Sequence, residues 1–219
     1  MSKSIKELIR EEYVKCAKNP IYFFRKYCYI QHPKRGKILF DLFPFQEDVM
    51  GELDEHQFNV ILKSRQLGIS TLSAGYSLWM MLFQDDKNVL VIATKQDVAK
   101  NLVTKVRYMH ESLPSWLKGE TIEDNKLSLR LGNGSQIKAT SASGDAGRSE
   151  ALSMLIIDEA AFIKSVDEIW ASAQSTLSTG GKAIVLSTPN GVGNFFHKTW
   201  MKGEQGDSWN PIKLHWTVH

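Results

Sequence analysis

The 219-residue sequence predicts an α/β fold in which a mainly parallel sheet is flanked by helices on both faces. Short continuous apolar runs alternate with longer segments whose apolar residues recur at helical spacing. Apolar runs without an alternating polar face are typical of parallel strands, which are buried on both sides. Ligands of such sheets bind at the carboxyl ends of the strands. Several predicted strands end in polar residues, so a ligand site is expected there.

The composition is that of a globular chain, with 42% hydrophobic and 23% charged residues. No apolar run approaches the ~20 residues of a membrane span. Residues 1–7 lack the apolar core of a secretory signal, so we expect a cytosolic protein without a membrane contact. The net charge of +3 is too small to indicate a nucleic-acid partner by itself. Cys16 and Cys28 have no metal-site spacing and are expected to be reduced thiols.

Residues 1–45 are predicted to form an N-terminal helical segment that packs on the core as a small lid. Helical spacing of apolar residues predicts a first helix over residues 5–14, and Asn19 and Pro20 interrupt the pattern. An aromatic-rich second helix is predicted over residues 21–30. A loop at 32–36 and a short apolar strand at 38–40 follow.

Residues 46–219 are predicted to form the core, with a β-hairpin inserted in it. The hairpin is indicated by Asn133-Gly134 between two alternating runs, at 126–131 and 136–140. A mobile loop is expected at 141–150, which is rich in glycine and serine. The predicted strands of the core are 58–62, 88–93, 153–157, 183–186 and 211–216. The predicted helices are 46–53, 70–83, 96–111, 166–177 and 195–201.

The segment after the strand at 58–62 has the layout of a phosphate-binding loop, G-x-x-x-x-G-K-[ST]. It reads Lys63, Ser64, Arg65, Gln66, Leu67, Gly68, Ile69 and Ser70. Gly68 and Ser70 stand at the positions of the second glycine and of the hydroxyl that binds Mg²⁺. Lys63 replaces the first glycine and Ile69 replaces the lysine, and an isoleucine cannot neutralise a phosphate.

The missing charge is expected to come from within the same loop. We predict that Lys63 supplies the phosphate contact and that Arg65 clamps or senses the γ-phosphate. A surface lysine at a strand end is the alternative for Lys63. Backbone N–H groups and the following helix N-terminus would bind the phosphate oxygens.

An apolar strand at 153–157 ends in two adjacent acids, Asp158 and Glu159. Two carboxylates at a strand end are costly unless a cation or a water molecule uses them. In phosphate-loop ATPases the first acid holds Mg²⁺ and the second polarises the attacking water, so we assign these roles to Asp158 and Glu159. A solvated helix start is the alternative. The strand at 183–186 ends in Ser187-Thr188-Pro189-Asn190-Gly191, which could contact the γ-phosphate or could form only a turn.

Taken together, these segments resemble the RecA-like ATPase domain of the large terminase subunits of tailed phages. Residues 64–71, ending in Thr71, resemble the family's variant Walker A motif, and residues 155–162 resemble its Walker B motif. Residues 187–191 resemble its coupling motif. The resemblance covers roughly residues 20–200, and its specificity lies in the combination of motifs in order.

The resemblance implies further residue roles. Residues 43–46 would recognise adenine, with Phe45 beside the base and Gln46 reading its edge. Asn190 would contact the nucleotide as part of the coupling motif. Arg148, in a glycine-rich segment, would be an arginine finger for the nucleotide of a neighbouring subunit. An arginine finger raises the turnover rate by ~10³–10⁵-fold. The implied cofactors are ATP and Mg²⁺.

The resemblance also implies partners and a location. The partners would be double-stranded DNA, the portal protein, the small terminase subunit and further copies of the chain in a ring, expected to be a pentamer; the isolated domain could be a monomer. The protein would act in the host cell cytoplasm, at the procapsid portal. Beyond Glu159 the acids form no two-metal cluster, so we expect an ATPase domain without the family's nuclease domain.

Two other classes of function remain open from the sequence. A helicase-like or other nucleic-acid-dependent ATPase would share Gln46 and the acid pair, but it should have a second RecA-like lobe. A nucleotide-binding scaffold that does not hydrolyse ATP is favoured by Ile69 and disfavoured by the presence of both Asp158 and Glu159.

Overall fold

The structure is a computed structural model that describes residues 3–142 and 151–218. Its α-helices are α1 (Ile5–Lys18), α2 (Pro20–Tyr27), α3 (Pro44–Glu55), α4 (Ile69–Phe83), α5 (Gln96–Glu111), α6 (Ser115–Lys118), α7 (Val166–Leu177) and α8 (Phe195–Glu204). Its strands are β1 (Tyr29–His32), β2 (Gly36–Leu39), β3 (Phe58–Lys63), β4 (Asn88–Ala93), β5 (Thr121–Asp124), β6 (Ser128–Leu131), β7 (Gln136–Ser141), β8 (Met154–Asp158), β9 (Lys182–Ser187) and β10 (Asn210–Leu214).

The main sheet has the strand order β10-β3-β9-β8-β4-β7-β6-β5. The strands from β10 to β7 are parallel to one another, and β6 and β5 continue the sheet in antiparallel pairing. The mainly parallel α/β class and the β6–β7 hairpin are therefore confirmed. Because β3, β4, β8 and β9 are parallel, their carboxyl ends lie at one edge of the sheet.

Helices cover both faces of the sheet because its strands are apolar on both sides. Neighbouring residues of β8 point to opposite faces: Ile156 packs with α3, α4 and α5, whereas Leu155 packs with α7 and α8. Val60 and Ile61 of β3 divide in the same way. The first face also receives α2, so the phosphate-loop helix α4 is packed between the sheet and the N-terminal segment.

The N-terminal segment is bound to the far half of α4. The Trp79 indole donates to the Cys16 carbonyl at 2.9 Å, and the Tyr13 hydroxyl donates to the Leu82 carbonyl at 3.3 Å. Cys16 and Cys28 are free and buried. A lid formed by residues 1–45 and a core formed by residues 46–219 stay predictions.

Three elements differ from the sequence prediction. The second helix was expected to reach residue 30, but it ends at Tyr27, and β1 pairs antiparallel with β2 as a separate ribbon. Aromatic residues suit a strand as well as a helix, and only the pairing with β2 decides between them. Strand β5 was missed because its four residues are all exposed, and α6 was missed because it is a single turn. No helix of the described residues is long and apolar enough to span a membrane.

Candidate functional site

The three strands that precede the predicted site residues lie side by side. Strand β9 lies between β3 and β8, with Leu62 opposite Ser187 and Leu186 opposite Asp158. Because neighbouring strands are about 4.8 Å apart, the ends of β3 and β8 are separated by about 10 Å. The phosphate-type loop, the acid pair and the Ser187 segment therefore occupy the same edge of the sheet.

The loop between β3 and α4 presents its backbone as an anion site. Gln66 and Gly68 have left-handed backbone angles, with φ of 64° and 73°, and Gly68 caps α4 without a side-chain hydrogen bond. Within the described ranges, the backbone N–H groups of residues 65–71 donate to no acceptor. The Leu72 N–H is the first that makes a helical hydrogen bond, to the Gly68 carbonyl at 2.9 Å. Seven consecutive free donors at a helix N-terminus form the arrangement that binds phosphate.

Ile69, at the position of the usual lysine, is 1% exposed and packs into the core. It offers a phosphate its backbone N–H and no charge. Ser70 and Thr71 follow in the first turn of α4, and both are half-buried. Lys63 and Ser64 are half-buried and Arg65 is exposed; in the part of the chain that the structure describes, neither Lys63 nor Arg65 pairs with a carboxylate.

Gln46 lies against this loop, but inside the protein. Its side-chain nitrogen donates to the Leu67 carbonyl at 2.9 Å and its oxygen accepts from the Phe43 N–H at 3.1 Å, with 2% of the residue exposed. A Cβ at position 68 would lie 2.7 Å from the Gln46 amide, so the glycine permits this close approach. In this conformation Gln46 supports the loop, and a contact with adenine stays a prediction.

The aromatic part of the predicted adenine segment is divided between an exposed and a buried ring. Phe43 and Phe45 stack with centroids 5.9 Å apart, and Phe43 is 45% exposed whereas Phe45 is 8% exposed. Phe45 packs into the core beside Val49. The ring accessible to a base is therefore that of Phe43; the motif itself does not distinguish the two phenylalanines, and only the packing determines which ring is exposed.

The acid pair ends β8 with one buried and one exposed carboxylate. Asp158 is 8% exposed and has no ion pair among the described residues; one of its oxygens accepts from the Glu159 N–H at 2.9 Å. Glu159 has a left-handed backbone with φ of 57°, which is strained for a residue other than glycine. The turn directs Glu159 outward, where the Thr94 hydroxyl donates to its carboxylate at 2.8 Å.

Thr94 directly follows β4, the strand next to β8. Thr94 could not be predicted from the sequence because a single threonine after a strand has no distinguishing pattern. Its bond orients the carboxylate that would polarise water.

The segment after β9 is tied to the turn that follows the acid pair. The Ser187 hydroxyl accepts from the Ala161 N–H at 3.2 Å, and the Asn190 amide donates to the Ala161 carbonyl at 3.0 Å. The backbone N–H and the carbonyl of Ala161 are therefore both hydrogen-bonded to this segment. Asn190 uses its amide nitrogen for this bond, so a contact with the nucleotide stays a prediction.

A lysine of α5 also reaches the first turn of α4. The Lys105 ammonium donates to the Thr71 hydroxyl at 3.0 Å. The pKa of Lys105 is lowered from its ordinary value, first because burial disfavours the charged form; the Asp158 charge opposes this shift and the Lys63 charge adds to it. Lys105 was not among the residues predicted from the sequence, although its position three residues after Leu102 and four before Met109 places it beside the apolar stripe of α5.

The donor set suits Mg²⁺, which prefers hydroxyl, carboxylate and phosphate oxygens. Asp158 offers a buried carboxylate that forms no ion pair within the described part of the chain, and Ser70 offers a hydroxyl at the start of α4. No group of three or more His, Cys, Asp or Glu residues that could hold a metal by themselves occurs in residues 3–142 and 151–218. Arg148 lies outside the described residues.

A parallel sheet with a phosphate-binding loop after one strand and an acid pair two strands away defines the P-loop class of nucleotide-binding proteins. Within that class, residues 60–218 match the family described as "Terminase large subunit, T4likevirus-type, N-terminal". The match covers most of the chain, which therefore belongs to the terminase large subunit family.

Solved structures with the same fold include other large terminases. The large terminase ATPase domain of Thermus phage P74-26 aligns with a TM-score of 0.64 at 21% identity, over 82% of this chain and 83% of that domain. The HK97 bacteriophage large terminase aligns with a TM-score of 0.69 at 18% identity, over 90% of this chain and 43% of that protein. The large terminase of a thermophilic bacteriophage, solved in complex with ATP-gamma-S, aligns with a TM-score of 0.62 at 14% identity, over 81% of this chain and 46% of that protein.

Proposed function

We propose that the protein hydrolyses ATP and uses the free energy to move double-stranded viral DNA into a procapsid. The observation that carries the proposal is the run of seven free N–H donors in residues 65–71, placed on the same sheet edge as Asp158 and Glu159. A phosphate loop alone would support only nucleotide binding. The exposed Glu159 carboxylate, oriented by Thr94, adds a group that can act on water.

The proposed roles divide between binding and chemistry. Residues 65–71 hold the phosphate chain through their backbone, and Lys63 and Arg65 neutralise its charge. Ser70 and Asp158 would hold Mg²⁺, which would offset the phosphate charge when it is bound. Glu159 orients the attacking water and accepts its proton. The hydrogen bonds of Ser187 and Asn190 with Ala161 connect the turn after the acid pair to the end of β9. Through these bonds, hydrolysis at the acid pair would move residues 187–191.

The wider assembly is proposed from family membership. The chain would grip DNA through its phosphates, largely without regard to sequence. It would act in a ring of identical subunits, expected to be a pentamer, with the portal protein and the small terminase subunit, in the host cytoplasm at the procapsid portal. Arg148 would complete the nucleotide site of a neighbouring subunit, and Phe45, Gln46 and Asn190 would contact the nucleotide after local rearrangement.

The test of this function is nucleotide binding and Mg²⁺-dependent phosphate release by the purified protein, with and without double-stranded DNA. We expect ATP binding in dilute solution and faster turnover at concentrations that favour assembly. ATP binding without phosphate release under any assembly condition would favour the scaffold, for which Ile69 is the specific observation. Strand separation of a DNA duplex would favour the helicase-like alternative.

Replacing Thr94 with valine is expected to lower turnover about tenfold and to leave ATP affinity unchanged. The substitution keeps the shape and removes the hydrogen bond to Glu159, and a bond to a charged group is worth about 1.5–3 kcal/mol. Steady-state phosphate release and a binding titration measure the two quantities. Thr94→Ser, which retains the hydroxyl, should keep most of the activity, and equal losses in both variants would contradict a role in orienting Glu159.

A further inference from the structure

Lys105 is a half-buried cation whose only hydrogen-bond partner in the described residues is neutral. Its ammonium donates to the Thr71 hydroxyl at 3.0 Å, and no carboxylate pairs with it in residues 3–142 and 151–218. A lysine ammonium carries three N–H donors. Partly burying such a charge is unfavourable unless an anion or several acceptors compensate it. An anion that binds beside Lys105 would supply that compensation.

Lys182 shows how this protein compensates a half-buried lysine for a purely structural purpose. Its ammonium donates to three backbone carbonyls, those of Leu53, Asp54 and His56, at 2.8 to 3.3 Å. These carbonyls end α3, so the charge also favours the helix C-terminus. Lys182 has three hydrogen bonds to the protein, whereas Lys105 has one among the residues that the structure describes.

The surroundings of Lys105 belong to the phosphate end of the site. Thr71 is the third residue of α4 and the last of the seven residues with free backbone N–H groups. Lys63, which ends β3, is near enough to repel the Lys105 charge, and Asp158, which ends β8, is near enough to attract it. Within residues 3–142 and 151–218 neither lysine pairs with a carboxylate, and Asp158 is buried. Mg²⁺ at Asp158 would leave that cluster more positive still, and only a multiply charged anion would balance it.

Lys105 also has room to move. With Thr71, Ile30, Tyr108 and Met109 it lines a cavity of about 200 Å³ between α4, α5 and the β1 strand. Its four-carbon stem can therefore change rotamer without displacing the packed core. Such a movement is needed if the ammonium is to exchange the Thr71 hydroxyl for a phosphate oxygen as its hydrogen-bond acceptor.

We propose that Lys105 is a phosphate-binding residue of the nucleotide site and that it supplies, from α5, part of the positive charge that Ile69 removes from the phosphate loop. The inference rests on the proposed function and extends it, because it assigns the missing charge to a helix outside the loop. When the phosphates are bound, the Lys105 ammonium donates to them in place of, or in addition to, the Thr71 hydroxyl. When the phosphates are absent, the hydrogen bond to Thr71 keeps the ammonium beside the site.

The test compares Lys105→Met with Lys182→Met in the full chain. Methionine keeps an unbranched apolar stem and removes the charge. We expect Lys105→Met to weaken Mg-ATP binding about 10- to 100-fold, the range for one hydrogen bond to a charged group. Adenosine, which carries no phosphate, should lose no more than about twofold. Lys182→Met should lower the melting temperature and leave both affinities near the wild-type values.

Amine acetylation of the wild-type protein provides a readout that does not depend on a folded variant. Mg-ATP is expected to protect Lys105 from acetylation several-fold more than adenosine does. Unchanged Mg-ATP affinity in folded Lys105→Met, or equal protection by ATP and adenosine, would overturn the role of Lys105 and leave the proposed function intact. A wild-type protein that binds no nucleotide at all would overturn the proposed function itself.

Discussion

Replacing Glu159 with glutamine is expected to lower ATP turnover by ~10²–10⁴-fold while Mg-ATP affinity stays close to that of the wild type. Glutamine has the shape of glutamate but cannot accept a proton, so only the proton-transfer contribution is removed. The Thr94 hydroxyl can still donate to the amide oxygen, which keeps the side chain oriented. The strained left-handed backbone at position 159 is shared by both variants.

The measurement is single-turnover hydrolysis, combined with a titration of ATP binding. Single-turnover rates separate the chemical step from product release, which limits the overall rate of many enzymes. Glu168 is a suitable control because it is an exposed acid of the same type, nine residues after Glu159 in the first turn of α7. Glu168→Gln should hydrolyse ATP at the wild-type rate. Turnover of Glu159→Gln within a few-fold of wild type would remove Glu159 from the mechanism.

Replacing Lys63 with methionine is expected to weaken Mg-ATP binding by about 10²-fold, near the upper end for a charged hydrogen bond. Lys63 ends β3 directly before the loop, it is half-buried, and within the described residues no carboxylate pairs with it. Its charge is therefore available to the phosphate chain. The loss should be larger for ATP than for ADP, because the lysine that Ile69 replaces contacts the terminal phosphates.

An exposed lysine on the neighbouring strand is the matched control. Lys213 is exposed and lies on β10 opposite Leu62, the residue that precedes Lys63 in β3. Lys213→Met should bind ATP as the wild type does. A double substitution of Lys63 and Lys105 would show whether the two charges act on the same phosphates, since coupled residues give losses that do not add. Wild-type affinity in Lys63→Met would assign the missing charge to Lys105 or Arg65.

Much of the site could be predicted because its signals are local in sequence. The loop after β3 was located by Gly68 and Ser70, and the acid pair by an apolar strand that ends in two carboxylates. The prediction that failed in detail concerned residues 28–30, where the same aromatic pattern suits a helix or a strand. Its outcome depends on β2, a partner that local periodicity does not specify.

The amino-acid sequence by itself determined the α/β class, the phosphate loop and the acid pair. Periodicity, glycine and strand-end acids act over a few residues, so they can be interpreted without a partner. The tertiary structure alone decided that β9 separates β3 from β8, that Gln46 turns inward to Leu67, and that Thr94 and Lys105 reach the site. The three side-chain contacts, of Gln46, Thr94 and Lys105, join residues that are 21 to 65 positions apart. Only the packing of whole helices and strands brings such residues together.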